Sequence, residues 1–125
     1  MPVPITTQPQ RYNFVIFQGV NFYRPVVIGG ILTPKNLTGC TATAKIKDSF
    51  TGALIIALAC TIPNPTDGYV YIKLTKAQTA ALVLPNVAAG VRLGRLGVWD
   101  LELDDGTDAY RFLEGEVQLS REATT

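Results

Sequence analysis

The residues best suited to chemistry are five acids near the C-terminal end: Asp100, Glu102, Asp104, Asp105 and Asp108, with Gly106 among them. Carboxylates at this spacing suit paired acid–base work, or an oxygen-ligand loop around calcium in which a glycine supplies the sharp turn. Both chemistries need the carboxylates to converge. Here the acids alternate with Trp99, Leu101 and Leu103, the two-residue period of a half-buried strand. A strand fans its carboxylates outward in a row, so a solvated strand face and a turn are expected, with no metal.

The other candidates reduce in the same way. The chain has no histidine, which removes the usual general base and the commonest metal ligand. Ser49 and Ser120 therefore lack a histidine partner for a triad. Cys40 and Cys60, without histidines, cannot complete a structural zinc site, and two cysteines are too few for a disulfide scaffold. Folding about Asp48-Ser49-Phe50-Thr51-Gly52 brings them near register, yet cytoplasmic synthesis favours two reduced thiols. The glycines of 90–97 lack the Lys-Ser/Thr of a phosphate loop and read as a mobile loop leading into the Trp99 strand. Asn36-Leu37-Thr38 reads as a turn. No catalytic residue and no cofactor are expected, and the chain is not read as an enzyme.

The elements that position these residues are strands. Tyr12, Phe14 and Ile16 alternate, and Phe22 to Ile28 is an apolar stretch whose Pro25 argues for an edge strand or a bulge. Thr41 to Lys47 puts Ala42, Ala44 and Ile46 on one face. Ala53 to Cys60 is a continuous apolar run, expected to be a strand buried on both faces, and Tyr69 to Leu74 is another short strand. Thr75 and Gln78 have the form of a capping box opening a helix over 76–82, which Pro85 stops.

The strongest local signal joins residues 98–104 and 107–113 across Asp105-Gly106 as a two-residue turn. That turn sets Trp99 opposite Phe112, Leu101 opposite Tyr110 and Asp100 opposite Arg111. Gly115 marks a bulge, after which Val117 returns to the core face. The expected core is thus Trp99, Leu101, Leu103, Tyr110, Phe112 and Val117. Six to eight short strands, with turns about every 8–12 residues, read as an all-β sandwich.

Composition bounds the rest. At 125 residues the chain is one domain: an extended arm over 1–10, a domain over 11–121 and a tail over 122–125. Apolar residues make up 47% and charged residues only 17%, so part of the surface is expected to be covered by partners. The net charge of +1, scattered, leaves no footprint for nucleic acid, and no apolar run is long enough for a membrane span. The first ten residues lack the basic and apolar regions of a signal peptide. The candidate interface is the arm and the aromatic segment after it: Pro2, Pro4, Ile5, Pro9, Tyr12, Phe14, Phe17, Phe22 and Tyr23.

Five ordered pieces carry a resemblance: Gly19-Val-Asn-Phe22, then 36–47 (Leu37-Thr38-Gly39-Cys40-Thr41-Ala42), then 68–82, then Trp99-Asp-Leu-Glu-Leu103, then Gly106 to Val117. Together they resemble small virion proteins of tailed phages and prophages, in particular the N-terminal domain of siphophage baseplate upper proteins. The resemblance implies an immunoglobulin-like β-sandwich without catalytic residues, made in the host bacterial cytoplasm and built into the virion. Its partners would be other virion proteins in multiple copies, with no nucleic acid, membrane or small-molecule substrate. A tail or baseplate adaptor is the first expectation, a capsid cement protein the second. A carbohydrate-binding module, from a different class, would need an exposed aromatic platform.

Overall fold

The alternating segments all become strands. A computed structural model describes residues 10–29, 35–84 and 90–122. In chain order the strands are β1 (Gln10–Arg11), β2 (Phe14–Phe17), β3 (Phe22–Val27), β4 (Thr41–Lys47), β5 (Leu54–Thr61) and β6 (Tyr69–Leu74). A short helix α1 (Lys76–Ala80) precedes β7 (Leu93–Asp104) and β8 (Ala109–Ser120). The chain is all-β. Its strands form one curled mixed sheet in the order β1-β8-β7-β4-β5-β6-β3, with β2 also beside β8.

The bend lies in β5. Its first half pairs with β4 (Ala44 opposite Leu58), and Ala59–Thr61 pairs instead with β6. Having the core on one side only, β5 is not buried on both faces as its apolar run suggested. Leu54, Ala57 and Ala59 are exposed and Leu58 is its buried residue. The run reflects a strand-forming composition, which does not distinguish one covered face from two. Curling brings the sheet's two ends together, so that Phe14 of β2 stacks on Phe22 of β3 with ring centroids 4.9 Å apart.

The β7–β8 hairpin forms, with a different turn and register from those expected. Four residues, 105–108, make the tip, because Asp104 and Asp105 supply acceptors for its backbone donors. Asp104 Oδ1 accepts from Gly106 at 2.8 Å, and Asp105 Oδ1 accepts from Thr107 and Asp108 at 2.8 and 2.7 Å. Leu103 therefore faces Tyr110 and Glu102 faces Arg111. Phe112 is then an extra residue, so that Leu101 faces Leu113 and Trp99 faces Gly115. The bulge thus falls at Phe112, and a second falls at Leu96. Trp99, Leu101, Leu103 and Val117 are core as expected. Tyr110 and Phe112 are half-buried, and Leu113 takes the core place given to Phe112.

Two further boundaries move. Helix α1 has the full capping box, Thr75 Oγ1 accepting from Gln78 and Gln78 Oε1 accepting from Thr75. It ends at Ala80, however, and Leu82 and Leu84, two residues apart, reach the core from beyond the helix. Residues 93–97, expected in a loop, are strand. Gly97 passes so close under the Lys47 carbonyl that no Cβ fits there. Residues 1–9 of the expected arm and 123–125 of the expected tail lie outside the described residues, whereas Gln10 already pairs with Leu113.

Candidate interaction surface

The first edge of the sheet is set by one departure from regular pairing. β1 and β2 run parallel to β8 in a single register, Gln10 opposite Leu113 and Phe14 opposite Val117, but the ladder breaks at Tyr12 and Asn13. There the Tyr12 carbonyl turns inward and accepts the Trp99 indole N–H at 2.7 Å. It lies directly on Gly115, where a Cβ would strike it. The Asn13 side chain fills the gap, its Oδ1 accepting from the Glu116 backbone at 2.8 Å. Gly115 is thus the place where another backbone approaches, not a bulge.

The turn from β2 to β3 is held by α1. Thr79 is fully buried; its hydroxyl accepts from Gly19 N–H at 3.1 Å and reaches the Val20 carbonyl at 2.9 Å. Gln18 donates to Leu82 O at 2.9 Å and accepts from Glu122 N–H at 3.0 Å. These bonds aim the aromatic segment and divide it. Phe14 and Phe22, expected at an interface, are core residues, since alternation turns them onto the Trp99 ring cluster. Tyr12 is half-buried beside Trp99. Phe17 and Tyr23 are on the surface, 59% and 49% exposed. Pro2, Pro4, Ile5 and Pro9 lie outside the described residues.

The outer faces differ in character. On β7–β8, three carboxylates do converge, on a cation: Arg111 reaches Asp100 at 3.4 Å, Glu114 at 3.6 Å and Glu102 at 4.0 Å. Asp105 and Asp104 serve the hairpin tip, and backbone N–H donors from Asp108 and Thr107 lower the Asp105 pKa. No group of three or more potential ligands among the described residues could hold a metal. On β3–β6 the outward residues include Tyr23, Tyr69 and Tyr71. Tyr23 meets Tyr71 edge to face at 5.4 Å, and Tyr71 meets Tyr69 at 6.2 Å. The alternation of Tyr69 and Tyr71 with Val70 and Ile72 is legible in sequence. Their union with Tyr23 needs the pairing of β3 with β6.

Further apolar side chains are exposed that the aromatic segment did not suggest: Phe50, Leu54, Val83 and Leu93. Leu93 and Phe17 both flank Ser120, one strand to either side. Cys40 and Cys60 are free, half-buried thiols, and burial pushes the Cys60 pKa up to about 11. No helix among the described residues is long and apolar enough to cross a membrane. Beside the free edge of β3 lies a cleft of about 320 Å³, with Gln10, Arg11 and Tyr12 on one side and Pro25, Val26 and Val27 on the other. No protein-family model matches this chain, and no curated protein matches it either.

Proposed function

We propose that this chain is a structural subunit of a tailed-phage virion, a tail or baseplate adaptor or decoration protein that works by docking to other proteins rather than by catalysis. The observation that carries the docking role is the β3 region, a sheet edge unpaired among the described residues and adjoining an outward row of tyrosines. Tyrosine-rich surface at an open edge is what interface anchors are made of. An immunoglobulin-like arrangement is supported by the pairing: β5 and β3 flank β6 on one side, and β4, β7 and β8 adjoin on the other, with β1 and β2 parallel to β8.

The test is incorporation. Replacing Phe17 and Tyr23 together by serine removes two exposed side chains, so stability should stay within about 0.5 kcal/mol per site. Uptake into particles should fall by at least about tenfold, as expected when interface anchors are lost. Immunogold labelling of intact virions should mark the tail, and a labelled head shell would favour the cement reading. Unlabelled particles from a host expressing the protein would overturn the virion role. A carbohydrate-binding role is favoured by the same tyrosine row. Its rings, however, stand 60–70° to one another and give no flat platform for a glycan chain.

A further inference from the structure

The edge of β3 has a defined hydrogen-bonding character. Ile28 N–H donates to Gly68 O at 2.7 Å, in line with Val26 opposite Val70 and Arg24 opposite Ile72. In an antiparallel pair only alternate residues exchange hydrogen bonds with the partner. Tyr23, Pro25 and Val27 therefore turn their backbone groups away from β6. The free edge presents the N–H of Tyr23 and Val27 and the carbonyls of all three. Pro25 sits where its missing N–H costs no ladder bond, which is why proline is tolerated here.

The inward face of the same strand carries a half-buried cation, Arg24, with one unsatisfied donor. By the same alternation Arg24 faces inward with Phe22 and Val26, and its guanidinium lies 5.5 Å from the Phe22 ring centroid. Its Nε is buried and has no hydrogen-bond partner. Buried polar atoms of this kind are rare, and a carboxylate brought to the guanidinium would satisfy this one. Arg11 stands across the cleft, and none of the cleft's lining residues is acidic. Edge and cleft therefore combine open backbone donors and acceptors with positive charge, and no carboxylate lines the cleft among the described residues.

We propose that the β3 edge and its cleft form a docking site for a short extended acidic segment of a partner protein, which pairs with the β3 backbone and sets a carboxylate on Arg24. A strand added to a sheet edge gains affinity from backbone bonds and selectivity from alternate side chains. The cleft's size and the proline limit pairing to a few residues, so the charge contact carries much of the selectivity. Anionic partners fit and cationic ones do not. The site deepens the docking role proposed above only in naming what docks.

The experiment uses the isolated full chain and two blocked hexapeptides, Thr-Glu-Val-Glu-Val-Thr and its isostere Thr-Gln-Val-Gln-Val-Thr, titrated with amide NMR detection. The glutamate peptide should bind about tenfold more tightly or better, the ratio expected for one charge-assisted hydrogen bond. It should shift amides of residues 10–12 and 23–28 and slow exchange of the Tyr23 and Val27 amides. Arg24→Gln should bring its affinity down to that of the glutamine peptide while the rest of the spectrum stays in place. Equal binding of the two peptides, no binding of either, or binding without protection at Tyr23 and Val27 would overturn the proposal. No phage particle enters the measurement, so its failure leaves the virion role to its own test.

Discussion

The β7–β8 hairpin and the seam where β1 and β2 meet β3 both bring strands side by side, yet only the hairpin is closed by backbone hydrogen bonds. In the hairpin, pairing runs from Asp104–Ala109 to Leu93–Ser120, with a bulge at each change of register. Among the described residues the seam has no ladder between its sides. Phe14 stacks on Phe22, and Trp99, reaching across from the hairpin, bonds the Tyr12 carbonyl. Local alternation suffices to build a hairpin, because its two strands are neighbours in sequence. Closing a curled sheet depends on a few side chains that pack and bond over long chain separations.

The largest effect is expected at the residue both regions share. Trp99→Ala removes a ring that is 1% exposed, its contacts with Tyr12 and Phe14, and the bond to the Tyr12 carbonyl. The expected loss in urea unfolding is about 3–5 kcal/mol. That is a large share of the roughly 5–15 kcal/mol that holds a domain folded. Should that variant fail to fold, Trp99→Phe keeps a ring and leaves the Tyr12 carbonyl without its donor, at a cost of about 1–3 kcal/mol. A Trp99→Ala protein as stable as the parent would mean that the indole does not hold the seam.

A smaller effect separates the two regions. Gly115→Ala places a methyl on the Tyr12 carbonyl and 2.6 Å from Asn13 Oδ1. Overpacking of this kind costs about 1–3 kcal/mol. Hydrogen exchange should show faster amides at Tyr12 and at Glu116, which bonds Asn13, with protection kept along β7 from Val98 to Leu103. Uniform loss of protection would show that hairpin and seam unfold as one unit.

The smallest effect belongs to the hairpin alone. Arg111→Ala breaks three contacts to half-exposed carboxylates, and exposed pairs each contribute only about 0–1 kcal/mol. Stability should fall by no more than about 1 kcal/mol, and the difference should vanish in 1 M salt, where screening acts within a few ångströms. A larger loss that persists in salt would mean that the side chain's packing, and not its charge, supports the outer face.

Strand β4, the Thr75–Gln78 cap and the edge position of β3 were legible because each rests on a local cause: a two-residue period, a capping geometry, a proline without a donor. The all-β class follows from the same causes repeated along the chain. Register was not legible at the β7–β8 tip. Asp104 and Asp105 can cap backbone donors as readily as Asp105-Gly106 can form a two-residue turn, and one inserted residue moved the core from Phe112 to Leu113. Alternation sets Phe14 and Phe22 on faces opposite to Phe17 and Tyr23, but which face became core was decided by the curl that stacks the sheet's ends. The features on which the proposals rest, the tyrosine row and the unsatisfied Arg24 Nε, join residues some fifty positions apart or rest on one atom's burial. Local chemistry determined which segments are strands. Which strands became edges, and what those edges expose, was decided by long-range packing that no local pattern encodes.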